Sequence, residues 1–125
     1  MGASMREPGP DHPITITPNP HRIRVVLGGF IVAETTNALT LEEAALPPVH
    51  YIPRADVHMD LVERNAHKTH CPYKGDASYF VVTAGGLVRE NAAWSYEHPY
   101  PAVSSIAGHL AFYPAKVDAV EEFAD

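Results

Sequence analysis

The sequence predicts a mainly β domain: a compact single-domain β-barrel of antiparallel hairpins, with one or two short helical turns. Twelve prolines and eight glycines are spread over the whole length. They punctuate short apolar runs at intervals of about ten residues, the pattern of an all-β domain. Two pairs of those runs meet at a glycine pair, Gly28-Gly29 and Gly85-Gly86, and paired glycines supply the positive φ that a two-residue hairpin turn requires. No stretch of helical period and convincing length occurs before the C-terminal end.

Taken in order, Met1 to about Asp11 form an expected disordered leader to a single domain over 12–125. "HPITITPNP" alternates Ile14 and Ile16 with threonines between prolines that cannot donate to a ladder, which suits a short edge strand. "HRIRVVLGGFIVAETT" predicts strands at 22–27 and 30–36. "NALTLEEAALPP" has helix formers behind an Asn37 cap and predicts one helical turn, stopped by Pro47 and Pro48. "VHYIPRADVHMDLVER" reads as two strands joined at Pro53-Arg54, or one bent strand, and His67 to His70 read as loop. "ASYFVVTAGGLVRENAAWSY" predicts the second hairpin, Tyr79 to Thr83 and Leu87 to Tyr96, with a bend or bulge at Asn91 to Ala93. A turn around Ala102 to Ile106, a strand at His109 to Tyr113 and a helical turn in the acidic tail complete the chain.

At 125 residues the chain buries roughly two-thirds of its unfolded surface around one core and needs neither disulfide nor metal for stability. Its single cysteine makes no internal disulfide and does not supply the thiolate set of a structural zinc site, so no cofactor is expected and a reducing cytoplasm is. Nine Lys and Arg against fifteen Asp and Glu leave a formal charge of −6, which repels nucleic acid and anionic membrane surfaces. No apolar run approaches the ~20 residues of a membrane span, and no secretory leader is recognisable. Eight histidines make solubility dependent on pH.

Chemistry concentrates in "THCPYKGDASYF". A thiol at Cys71 beside His70, with Lys74 three residues on, is a candidate nucleophile or redox group, with His70 or His109 as base. Against this, free cysteine is commonly buried, and neighbours on a strand point to opposite faces. His58, His67, His70, Cys71, Asp56 and Asp60 are potential ligands without the tight spacing of a metal motif, so no metal residues are assigned. "PYKG" lacks the upstream glycine and spacer of a phosphate loop. What remains is a turn, Pro72 to Gly75, that presents Tyr73 and Lys74 outward, where a lysine beside an aromatic ring suits an anion or carbonyl group. "NAAWSYEHPYP" adds Trp94, Tyr96 and Tyr100, either core pieces or walls of a ligand cleft.

"HPI", "VHYIPRADV", "THCPYKGDASYF", "ENAAWSY" and "IAGHLAFY", in this order and spacing, resemble the bacterial family called domain of unknown function 427, from about His12 to Tyr113. The resemblance implies a compact all-β fold similar to the β-tents of Mss4-like zinc proteins, which refines the expected barrel toward a β-tent, but the paired zinc cysteines of those proteins are missing here. The family is also labelled nucleotidyltransferase-like, although the paired metal-binding carboxylates and glycine-serine motif of that class are not visible. It brings no catalytic residues. Its recurrent positions here are Tyr51, Pro53, Asp56 and Val57, Cys71 to Gly75, Tyr79, Trp94 to Tyr96, Phe112 and Tyr113.

These readings predict a small cleft lined by Tyr51, Tyr73, Lys74, Trp94 and Tyr96 that binds a small polar or anionic metabolite, with Lys74 as anchor. The alternatives are an enzyme built on Cys71, with His70 or His109, and an interaction protein that pairs through edge strands as a homodimer.

Overall fold

The computed structural model describes residues 5–124, and the chain is mainly β. Its strands are β1 (Ile14–Asn19), β2 (Arg22–Leu27), β3 (Phe30–Thr35), β4 (Ala38–Glu43), β5 (Val49–Tyr51), β6 (Val62–Cys71), β7 (Gly75–Ala84), β8 (Leu87–Ser95), β9 (Leu110–Phe112) and β10 (Ala119–Phe123). They form three antiparallel sheets, ordered β1-β4-β5, β10-β2-β3 and β6-β7-β8-β9. The ladders do not close into a barrel, so the barrel alternative is corrected to open sheets packed on one another. The first and third sheets meet at a seam where Ile52 and Leu110 exchange backbone hydrogen bonds of 2.7 and 2.9 Å.

Both glycine-pair hairpins form where the sequence places them, with all four glycines at positive φ, as a primed turn demands. The two turns also touch each other. A Cβ on Gly85 would lie 2.2 Å from the Gly28 carbonyl oxygen, and one on Gly28 would lie 2.6 Å from the Ala84 carbonyl oxygen. The β7–β8 ladder shifts register next to Asn91, which has φ 55°; this is the expected bulge. β1 pairs only with β4, as an edge strand.

Four expectations are corrected. The predicted helical turn after Asn37 is β4, the central strand of its sheet, paired with both β1 and β5. A helix of so few residues cannot recover its nucleation cost, whereas a strand with partners on both sides satisfies its backbone fully. Beyond Tyr51 the chain makes two short 3-10 turns, Arg54–Asp56 and Met59–Leu61, rather than a second strand. The histidine-rich stretch read as loop lies in β6, an edge strand with mostly exposed side chains. The acidic tail forms β10, whose Glu121 stands opposite Arg24. Of the expected leader, 1–4 lie outside the described residues. In the remainder Arg6 N–H donates to the Pro72 carbonyl (2.7 Å) and Gly9 pairs with His12.

Period-two alternation divides the apolar residues between two clusters. Ile23, Val25, Leu27, Phe80 and Val82 belong to an aliphatic core between the second and third sheets. Tyr51, Tyr79, Trp94, Tyr96 and Ile106 belong to an aromatic one under the first sheet.

Candidate functional site

The aromatic cluster does not fill its space. A cavity of about 460 Å³ opens there, walled by Tyr51, Tyr79, Trp94, Tyr96 and Tyr113, with Lys74 and Glu43 at its polar side and Leu46, Pro47 and Pro48 at its rim. The walls converge because Tyr79 pairs with Trp94 across β7–β8, Trp94 with Ala111 across β8–β9, and the Ile52–Leu110 seam carries Tyr51 alongside. Tyr51 meets Trp94 edge-on, with centroids 6.2 Å apart, while Trp94 Nε1 donates to Tyr51 Oη at 3.3 Å. Trp94 packs on Tyr113 at 4.3 Å. Tyr79 Oη is 2.9 Å from Thr69 Oγ1 and 3.5 Å from Tyr113 Oη. Tyr96 Oη has no hydrogen-bond partner among the described residues, although no fully buried side-chain polar atom is left unpaired. That hydroxyl is therefore open to the cavity.

The β6–β7 turn delivers the lysine. Cys71 pairs with Gly75, and Gly75 takes φ 108°, a conformation that side chains disfavour. Lys74 does not point outward as expected. Its Nζ donates to Glu43 Oε1, 5.9 Å from the Tyr96 ring centre, and its side chain is only 12 % exposed. Glu43 Oε2 also meets His12 Nε2 at 2.7 Å. Burial pushes the Glu43 carboxyl up, but the hydrogen bonds and charges of Lys74 and His12 outweigh it and hold the group below its ordinary value. Burial raises the phenols of Tyr51, Tyr96 and Tyr113, which stay neutral donors. Burial also lowers His50, on the same cavity wall, against the opposing pull of Glu122.

Of the five sequence-predicted ligand residues, Tyr51, Lys74, Trp94 and Tyr96 line this cavity and Tyr73 does not. Tyr73 stacks on His12 instead, with centroids 3.9 Å apart and planes 8° from parallel. The catalytic candidates are not gathered there. Cys71 is partly buried against the aromatic cluster, outside the cavity lining. His70 Nδ1 turns to Asp76 Oδ1 (2.7 Å), and His109 Nδ1 to the Ala107 carbonyl (3.2 Å). Among the described residues no group of three or more His, Cys, Asp or Glu is arranged to hold a metal ion. The sequence reading missed Glu43 because it lay in the segment taken for a helical turn. The signal was its position in "ALTLEE", where alternation along a strand sends Leu41 and Glu43 to the same side as each other. Tyr79 and Tyr113, recurrent positions of the resemblance outside the five expected ligand residues, line the cavity as well.

Fold and cavity together define the class: a mainly β domain of open antiparallel sheets enclosing an aromatic pocket with one buried ion pair. No helix among the described residues is long and apolar enough to cross a membrane. The family described as "Domain of unknown function (DUF427)", with the short label NTP_transf_9, matches residues 15–122, and the chain belongs to it. No curated protein matches the sequence.

Proposed function

We propose that the cavity binds a small molecule with a flat, largely apolar body and a polar end that meets Lys74 and Glu43 together. The observation that carries this reading is the Lys74–Glu43 pair set in the wall of an aromatic pocket of about 460 Å³. That volume falls within the usual range of small-molecule sites, which are mostly apolar with a few placed polar groups. Lys74 remains the anchor, but its charge is already balanced by Glu43. A simple anion therefore gains little. A hydroxyl, amide or zwitterionic end can accept from the ammonium and donate to the carboxylate at once. The open Tyr96 hydroxyl offers one further donor or acceptor, and neutral phenols add no repulsion.

A thermal-shift panel of amino acids, nucleosides, aromatic carboxylates and phosphorylated sugars tests this. A true ligand at a hundred times its Kd is expected to add about 2.7 kcal/mol of stability. Calorimetry should then show Tyr96→Phe binding it about tenfold more weakly, the loss of one net hydrogen bond. Silence across the panel, or a hit indifferent to both Tyr96→Phe and Lys74→Ala, would remove the reading.

A further inference from the structure

We propose that a second site, a groove on the opposite face of β7, binds a small tetrahedral oxyanion: phosphate or the phosphate of a monoester. The proposal is independent of the cavity's ligand. Successive strand residues point to opposite faces, so while Tyr79 lines the cavity, Ser78 faces away from it. Ser78 lines a groove of about 300 Å³ together with Arg64, Lys68, His98 and Tyr100.

The β6–β7 ladder brings the two cations together. Lys68 pairs with Ser78 and Arg64 with Phe80, and the register shifts between them, so four residues of β6 span two of β7. The bulge places the rows of Arg64 and Lys68 ~7 Å apart along β7, against ~13 Å in an unbroken strand. Two carboxylates, Glu97 and Asp76, also line the groove, and each has a hydrogen-bond partner of its own. Glu97 Oε2 accepts from Ser95 Oγ (2.5 Å) and Arg54 Nη2 (2.5 Å) and lies 3.2 Å from Arg64 Nη2. Asp76 is paired with His70. Lys68 Nζ, by contrast, donates only to the neutral Ser78 hydroxyl, at 3.3 Å, and has no carboxylate partner among the described residues.

The groove therefore holds an ammonium in no salt bridge among the described residues, a half-exposed guanidinium with only Nη2 committed, and a buried hydroxyl. All three line the one groove. Converging charged donors, arginine's fork among them, are the chemistry that holds phosphate. Arg64 and Lys68 are matched in number by Asp76 and Glu97 among the lining residues, so the site rests on which donors are free rather than on net charge.

The test is a titration of isotopically labelled protein with inorganic phosphate at constant ionic strength, followed by amide NMR, with glucose 6-phosphate as a parallel arm. Saturable shifts at Arg64, Lys68, Ser78 and His98 are expected, and Lys68→Ala should raise the phosphate Kd about tenfold. Lys68 is exposed on an edge strand, so the variant should keep the wild-type spectrum elsewhere. Lys116→Ala removes the same charge outside the groove lining and should leave the Kd unchanged. Tighter binding of the sugar phosphate assigns the site to monoesters, and tighter binding of the inorganic ion assigns it to free phosphate. Shifts that are linear and scattered over the surface, or an unchanged Kd in Lys68→Ala, would overturn the proposal.

Discussion

Gly85→Ala is expected to cost the domain about 4 kcal/mol, a large share of the stability of a chain this size. Two effects add. A side chain at φ 58° costs about 1 kcal/mol wherever it occurs. The new methyl would also sit 2.2 Å from the Gly28 carbonyl oxygen and 2.8 Å from its carbonyl carbon. These are backbone atoms of a neighbouring turn and cannot rotate aside. Gly86 separates the two terms, since it has φ 78° with nothing within 4 Å of its Cβ position. Gly86→Ala should show only the conformational cost of about 1 kcal/mol. Urea denaturation of both variants measures the difference, and equal losses would mean that the two turns do not press on each other.

Glu43→Gln is expected to lose about 3 kcal/mol at pH 7, because it leaves the Lys74 ammonium buried without its counter-charge. The pH dependence identifies the cause. The Glu43 carboxyl is held below its ordinary value of 4.5 in the folded chain, so the unfolded chain takes up the proton first as pH falls. The stabilisation is complete above 4.5 and disappears as pH drops through the lower folded value. Glu97, likewise lowered, adds to the wild-type loss in the same window but is present in both proteins and cancels. The gap between wild type and Glu43→Gln should therefore close with acid. A gap that persists unchanged to pH 3 would assign the loss to shape rather than charge.

The hairpins were legible in the sequence because the requirement for positive φ is local, and Gly28-Gly29 and Gly85-Gly86 satisfy it whatever surrounds them. β4 and β10 were not, because their composition favours helix and their partners lie far off: Ala38 stands opposite Asn19, and Ala119 opposite Val26. Tertiary pairing overrode propensity in both. The same distinction runs through the site. Lys74 and the rings of Tyr51, Trp94 and Tyr96 stood out as chemistry-bearing residues. Glu43, which neutralises the lysine, comes from a strand that the sequence disguised, and that pairing turns an expected anion anchor into a balanced one. Tyr73 looked equivalent to Lys74 beside it, but His12 from the N-terminal segment claims its ring.

The Ile52–Leu110 seam bears on how the cavity is filled. Its walls draw on all three sheets, and the first and third are joined there through two backbone hydrogen bonds, whereas β7 and β8 are zipped along most of their length. Breathing of the domain should begin at this short joint, a far cheaper rupture than parting the long ladder. Parting it would also pull on the Trp94 Nε1–Tyr51 Oη hydrogen bond and widen the space between those two rings. A guest held on both sides would act as a clasp, slowing solvent exchange at the Ile52 and Leu110 amides while the β7–β8 amides keep their own pace.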